Sequence, residues 1–344
     1  MEKIQLTGLL PREISAFIPK GKEAYRSMQI FRWIHEKGVQ SFDEMTNLSK
    51  EFREETKNLF IIGTMKLVKT RRSLDETTDK YLWELADGNN IESVIIRDED
   101  RVTACISSQV GCKMGCRFCR TGEMKFIRSL TSGEIVDQLI NMRRILKEKG
   151  ENITNIVFMG MGEPLDNLEN VLRTLAIINM ETGLSISQHK NTVSTCGIVP
   201  GIIRLAGEYK RLRLAISLNA TYDELRNDIM PINRRYPLKE LLAAALEFTR
   251  ITRRRITFEY ILMDGINDSP QDAKRLLSIA HKIPSKINLI GYNEYEGSPF
   301  KRSSDRKIEK FQKILFDGNV TAILRKSKGT DILAACGQLA ARIS

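Results

Sequence analysis

The stretch Cys105-Ile106-Ser107-Ser108-Gln109-Val110-Gly111-Cys112-Lys113-Met114-Gly115-Cys116-Arg117-Phe118-Cys119 decides how the rest of the chain is interpreted. It holds four of the six cysteines of the 344-residue chain, and the last three are spaced C-x3-C-x2-C. Thiolates so close in sequence converge on a compact, soft centre, which means an iron–sulfur cluster or zinc. Because a [4Fe–4S] cluster normally takes four cysteines, Cys112, Cys116 and Cys119 predict a cluster with one iron left open for a small molecule.

Zinc and disulfides are the alternative uses of these cysteines. Structural zinc takes four closed ligands, commonly as two C-x2-C pairs or as one pair with histidines. Only Cys116 and Cys119 form such a pair, and no histidine lies nearby in the sequence. A disulfide framework is typical of small secreted domains, whereas a chain of this length can build its own core. The cluster is therefore the favoured interpretation, with zinc second.

The composition is that of a soluble globular protein with an excess of positive charge. Hydrophobic residues make up 42% of the chain, which is enough for a sizeable core. The longest run without a charged residue, 191–203, is too short to cross a bilayer, so we expect a cytoplasmic protein with no membrane association. The formal charge is +11, and basic residues cluster at 210–213, 250–255 and 325–328. Phosphate binding needs such an excess, although a solvated surface explains it equally well.

The order of the predicted elements indicates a small helical domain followed by a β/α barrel. Residues 1–62 read as a helical accessory domain and 63–100 as a small connecting β segment. Residues 101–325 form the barrel core, and 326–344 form a tail that carries Cys336. Within the core, repeated strand–helix units predict an α/β fold whose site lies at the carboxyl ends of parallel strands. Strands are predicted at 155–159, 191–195, 213–218, 256–263, 287–292 and 320–324, and helices at 131–149, 168–179 and 238–251.

Several polar residues stand at the carboxyl ends of these predicted strands. Each alone is more often a turn residue than a ligand contact, but together they outline a rim suited to a nucleoside and an amino acid. Before the barrel, strand alternation puts Glu92 on the same face as Val94 and Ile96. A solvated edge glutamate is favoured by that pattern alone, and a proton-transfer group is the alternative. In the tail, Cys336 lies among small residues. This pattern is typical of a small buried side chain, and a mobile thiol is the alternative.

Taken together, these motifs resemble the RlmN/Cfr family of radical S-adenosylmethionine (SAM) RNA adenine methyltransferases. The resemblance spans nearly the whole chain and rests on residues 25–47, 105–112, 116–119, 160–164, 230–233 and 334–339. It implies a partial radical-SAM β/α barrel with a small N-terminal helical domain. The implied activity is RlmN-type methylation of adenine C2 in 23S rRNA, with tRNA as an open second substrate. Cfr-type C8 methylation, a radical-SAM thiotransferase or maturase, and a zinc-containing RNA-binding protein are the alternatives.

The resemblance also implies roles for individual residues. Cys336 would take a methyl group from one of two SAM molecules used per turnover, and a radical from the second would activate that methyl for addition to adenine. Glu92 would accept a proton, and Cys105 would release the product by attacking the Cys336 sulfur, which leaves a disulfide. An RNA substrate, an electron donor such as flavodoxin or ferredoxin, and a monomeric state are also implied. Cys112, Cys116 and Cys119 match the cluster ligands, and Gly162, Glu163, Ser194, Ser217, Leu218, Asn219 and Asn293 match the SAM contacts. The chain has Asn219 where the family commonly has histidine, so this position keeps hydrogen-bonding ability but lacks the imidazole.

Overall fold

A computed structural model describes residues 3–18 and 22–341. Residues 1–2 and 19–21 of the predicted accessory domain and residues 342–344 of the predicted tail lie outside the described residues. The helices are α1 (Pro11–Ser15), α2 (Glu23–Arg32), α3 (Lys50–Leu59), α4 (Arg120–Glu123), α5 (Ser132–Lys147), α6 (Leu168–Asn179), α7 (Val199–Glu208), α8 (Asp223–Ile229), α9 (Leu238–Thr252), α10 (Pro270–Lys282) and α11 (Asp305–Asp317). The strands are β1 (Ile4–Gln5), β2 (Phe60–Ile61), β3 (Lys66–Arg72), β4 (Thr78–Glu84), β5 (Asn90–Asp98), β6 (Arg101–Cys105), β7 (Gln109–Val110), β8 (Arg128–Ser129), β9 (Asn155–Phe158), β10 (Asn191–Thr195), β11 (Arg213–Ser217), β12 (Ile256–Leu262), β13 (Ser285–Gly291) and β14 (Ala322–Arg325).

One ten-stranded sheet organises the described chain, in the order β14-β13-β12-β11-β10-β9-β6-β5-β4-β3. The strands from β6 through β9 to β14 are all parallel, and helices return the chain between them. Because β14 and β3 are the two ends of the sheet, the barrel is open. The structure therefore confirms the predicted α/β fold with a partial β/α barrel.

The barrel elements follow their sequence patterns closely. β10 and α6 have the predicted bounds: β10 is rich in β-branched residues, and α6 has apolar residues at helical spacing. α5 begins where Thr131 and Glu134 form a capping box, with the Thr131 hydroxyl accepting from the Glu134 amide. β13 starts at Ser285, two residues before the prediction, because its polar first residues hide it from a hydrophobic pattern.

The segment before the barrel extends the same sheet. β3, β4, β5 and β6 pair antiparallel in sequence order, and β6 then pairs with β9 of the barrel. The N-terminal elements pack against the start of α5, where the Thr7 hydroxyl donates to the Gly133 carbonyl and the Ser132 hydroxyl donates to the Gly8 carbonyl. The domain boundaries given above stay a prediction. In the part of the chain that the structure describes, no helix has the length and apolar character needed to cross a membrane.

Candidate active site at the carboxyl ends of the strands

A cavity of about 850 Å³ lies at the carboxyl ends of the barrel strands, and cysteines form part of its wall. Cys112, Cys116 and Cys119 reach it from the loop between β7 and α4, and Cys336 reaches it from the tail. All four are free thiols. Burial raises the pKa of Cys112 to about 12 and also raises the pKa of Cys116, which the neighbouring cysteines raise further. Bare thiolates are therefore unfavourable here, and a positive centre is needed to hold them deprotonated.

The predicted strand-end residues divide into two groups. Gly162, Glu163, Ser194 and Ser217 line the cavity. Leu218, Asn219 and Asn293 are not part of its wall; instead, Asn219 Oδ1 accepts from the Ile261 amide at 2.9 Å, and Asn293 Nδ2 donates to the Cys336 carbonyl at 3.1 Å. Asn219 thus joins β11 to β12, and Asn293 anchors the tail. All seven SAM contacts stay predictions.

The turn after β9 brings a carboxylate into the cavity. Gly162 has φ +96°, and a Cβ there would lie 2.5 Å from Gln109 Cβ, so only glycine fits. Glu163 Oε1 then accepts from the Leu165 amide at 3.0 Å, and Oε2 accepts from the Cys196 amide at 2.8 Å. Burial raises the pKa of Glu163, while these bonds oppose the rise. The result is a fixed acidic group in the cavity, which suits a ligand ammonium.

The tail is held over the open end of the barrel by hydrogen bonds to α4 and to the loop after β13. The Arg120 amide donates to the Gly337 carbonyl at 2.7 Å, and the Thr121 hydroxyl donates to the Leu339 carbonyl at 2.6 Å. Gln338 Nε2 donates to the Glu294 carbonyl at 2.8 Å. Cys336 therefore sits in the cavity wall beside the cluster loop.

Cys105, the last residue of β6, lies close enough to Cys336 for the charge of one thiolate to act on the other. Burial raises the pKa of Cys105 to about 12, the charge of Cys336 raises it further, and Arg325 lowers it. Both cysteines are free thiols, so the predicted disulfide between them is not formed in this structure. The two groups assigned to methyl transfer and release are thus near each other, with a cation beside both.

Glu92 on β5 is 3% exposed, so the interpretation of a solvated edge glutamate is wrong. Lys80 Nζ contacts Oε1 at 3.0 Å, and the Ala340 amide donates to Oε2 at 2.8 Å. Strand alternation had placed Glu92 on the correct face with Val94, but the tail that covers this face lies 248 residues away in sequence. The tail that carries Cys336 therefore also covers Glu92.

Arg226 is a supporting residue that the sequence analysis missed. Its fully buried guanidinium donates to the carbonyls of Cys196, Ser217 and Leu218, and to Asn233 Oδ1 at 2.9 Å. It therefore ties together the carboxyl ends of β10 and β11. The motif at 230–233 was a usable signal, because Asn233 is the partner of Arg226; the sequence of α8, which carries four charged residues in seven, is otherwise typical of a surface helix.

Two further charged side chains of the cavity wall were also missed. Glu259 on β12 accepts from Asn288 Nδ2 at 3.0 Å through Oε1, while its buried Oε2 has no hydrogen-bond partner among the described residues. Burial raises the pKa of Glu259, and Arg325 opposes the rise. Arg325 itself ends β14 and lines the cavity, so it does not belong to a surface RNA-binding cluster as the sequence suggested.

The other basic clusters lie at the far end of the barrel. Arg213 is the first residue of β11, and residues 253–255 immediately precede β12. Because the cavity is at the carboxyl ends of these parallel strands, both clusters are at the opposite mouth. The clusters at 210–213 and 250–255 are therefore remote from the cavity cysteines.

Comparison with known proteins assigns the chain to a family. Residues 106–277 match the model of the radical SAM superfamily, and residues 4–62 match that of the ribosomal RNA large subunit methyltransferase N-terminal domain. The chain is 50% identical over 344 residues to the dual-specificity RNA methyltransferase RlmN of Geotalea uraniireducens, covering all of this chain and 98% of the relative. The RlmN of Geobacter sulfurreducens is 49% identical, with 99% and 93% covered. The chain belongs to the RlmN family.

A solved structure agrees with the RlmN assignment. A radical SAM methyltransferase from Sphaerobacter thermophilus matches with a TM-score of 0.95 and 40% sequence identity, covering 98% of this chain and 100% of the other. As a radical SAM protein, the chain uses a [4Fe–4S] cluster and SAM.

The cavity of this RlmN-family chain fits that cluster better than a single ion. Its three loop cysteines are a soft, all-thiol donor set, which iron–sulfur clusters prefer. Among residues 3–18 and 22–341, no three His, Cys, Asp or Glu side chains are grouped closely enough to hold one metal ion. In a cluster each thiolate binds its own iron, so the ligands need not meet at one point. We therefore expect Cys112, Cys116 and Cys119 to hold it.

Proposed function

We propose that this chain methylates carbon 2 of adenine in RNA, with 23S rRNA and tRNA as substrates. The observation that carries the proposal is the position of Cys336, which the tail holds in the wall of the cavity that the cluster cysteines line. The relatives, named dual-specificity RNA methyltransferases, support the substrate class. When bound, the cluster and SAM supply radical chemistry that can functionalise an amidine carbon, which ordinary methyl transfer cannot reach.

The roles of the chain's own residues follow from their positions. Cys336 Sγ carries the methyl carbon, and Asn293 and Arg120 hold its segment in the cavity wall. Glu92 accepts the proton that leaves the adenine ring carbon. Cys105 Sγ then attacks Cys336 Sγ: an S–S bond forms, the bond from Cys336 sulfur to carbon breaks, and its electron pair stays on carbon, where a proton completes the methyl group.

Turnover needs access of the base to Glu92, and release of the product then needs deprotonation of Cys105. The Cys105 pKa of about 12 means that the thiol is protonated at neutral pH in this state. The Ala340 amide and Lys80 occupy both oxygens of Glu92. We infer that the tail moves when RNA binds, so that Glu92 meets the base.

The remaining parts of the proposal concern partners and location. We propose a small acidic electron carrier such as flavodoxin or ferredoxin, because Lys113 and Arg117 are exposed on the cluster loop and suit an acidic surface. We also propose that the protein is a monomer and acts in the cytoplasm, where its RNA substrates are.

Nucleoside analysis of RNA from cells with and without the protein tests this function. The wild type should produce 2-methyladenosine, and Cys336→Ala should keep iron and sulfide but produce none. Cys105→Ala should accumulate a covalent protein–RNA adduct. Cys196→Ala is the matched control, because it alters another buried cysteine of the same cavity and should keep both cluster and turnover. Finding 8-methyladenosine, or methylation by Cys336→Ala, would show that the proposal is wrong.

A further inference from the structure

A second cavity, shallow and open to solvent, lies on the antiparallel extension of the sheet, and Glu92 forms part of its wall. Lys69 pairs with Leu82 and Arg71 with Lys80 between β3 and β4, and Leu82 pairs with Glu92 between β4 and β5. Directly paired residues point to the same side of a sheet. One face of three adjacent strands therefore carries Lys69, Arg71 and Lys80 around the carboxylate, and Arg120 lines the cavity from the cluster side.

The positive charge on this face becomes more exposed toward the edge of the sheet. Lys80 is buried in its ion pair with Glu92, Arg71 is half-buried, and Lys69 is exposed on β3, the outermost strand. β3 carries four basic residues in its seven positions, Lys66, Lys69, Arg71 and Arg72, and no acidic one. Lysine on an edge strand also discourages pairing with other chains. Protection of the edge does not require these cations to share a face with Glu92, whereas holding an RNA backbone beside that residue does.

We propose that Lys69 and Arg71 bind the RNA phosphates that flank the target adenosine, with the base directed along the sheet to Glu92. This inference rests on the proposed function, because it presumes an RNA substrate with a target base that leaves its stack. Two strand spacings, about 9–10 Å, separate β3 from β5. The backbone can thus remain at the sheet edge while the base reaches inward. The clusters at 210–213 and 253–255 lie at the opposite mouth and serve no such contact.

The test compares two pairs of neutralised cations in anaerobic holoenzyme. Lys69→Gln with Arg71→Gln removes two charges at the sheet edge, and Arg253→Gln with Arg255→Gln removes two exposed charges at the far mouth. The probe is an RNA hairpin with an unpaired adenosine in its loop, and Kd is measured over a salt series. The first pair should reduce the slope of log K against log salt by about 1.4 and weaken binding about tenfold near physiological salt, and the second pair should leave both unchanged.

Two further measurements separate the possible failures. Methylation of Cys336 by SAM without RNA reports an intact fold and cluster, and it should be unchanged in the Lys69 and Arg71 variants; if the double variant loses it, each single variant is measured instead. With RNA, KM should rise while kcat is kept. The wild type should bind and methylate the hairpin. If it does so and the sheet-edge variants have the same Kd and salt slope as the wild type or the far-mouth pair, this inference is overturned while the proposed function stands. If the wild type neither binds nor methylates RNA, the proposed function fails as well.

Discussion

The contact between Glu92 and the tail predicts how often the tail opens at equilibrium. Glu92→Gln keeps an acceptor for the Ala340 amide but removes the negative charge that this amide and Lys80 both contact. Hydrogen bonds to charged groups contribute about 1.5–3 kcal/mol and neutral ones about 0.5–1.5 kcal/mol, so the substitution should cost about 1–1.5 kcal/mol. Since about 1.4 kcal/mol is a factor of ten, the tail should open about tenfold more often.

Hydrogen exchange measured by mass spectrometry reports this local opening. Peptides covering residues 333–341 should exchange about tenfold faster in Glu92→Gln than in the wild type, while peptides from α5 stay unchanged. Glu259→Gln is the control, because it neutralises another buried carboxylate, and that carboxylate makes no hydrogen bond to the described part of the tail. Equal exchange in the wild type and Glu92→Gln would refute the view that this carboxylate holds the tail.

Three other predictions concern stability. Burial raises the pKa of Asp137 to about 6, above the unfolded value of about 3.9, so its stabilising effect is present below about pH 4 and is lost as the pH rises through 6. Asp137→Asn should therefore flatten the pH dependence of the free energy of unfolding by about 3 kcal/mol over that window, and an unchanged profile in denaturant titrations would contradict this. Gly162→Ala should lower the free energy of unfolding by about 2–4 kcal/mol, because the new Cβ is strained and overlaps Gln109. Gly88→Ala, with positive φ but open space, should lower it by about 1 kcal/mol. Similar losses in the two variants would be inconsistent with the clash at Gly162. Arg226→Met leaves three carbonyls at the strand ends without this donor and should lower the free energy of unfolding by more than about 3 kcal/mol. The control Arg204→Met, at an exposed ion pair, should lower it by less than about 1 kcal/mol, and thermal unfolding measures both.

Sequence patterns predicted the barrel because its strands and helices are local features. Alternation and apolar runs located β9 to β14 within about two residues, and the spacing of Cys112, Cys116 and Cys119 predicted that they share one site. These inferences need only neighbouring residues, since a strand or a ligand loop is encoded within a few positions.

Contacts between distant segments were beyond that reasoning. Glu92 is covered by Ala340, and no local pattern shows which face a distant tail will cover. Arg325 was predicted to belong to a basic surface cluster but lines the cavity, and Arg226, for which no prediction was made, is buried against strand-end carbonyls. The position of the cluster at 253–255 was predictable, because residues that precede a barrel strand belong to the end away from the cavity.

The continuous pairing of the sheet has a consequence for length variation in this family. Glu92 lies opposite Leu82 in an unbroken register from Thr78 to Glu84, and strand residues alternate between faces. Inserting or deleting one residue within β5 before Glu92 would turn its carboxylate to the other face while leaving every side chain type in place. The turns between strands, at 73–77 and 85–89, have no such restriction. Natural length differences should therefore collect in the turns and be absent from the strands themselves.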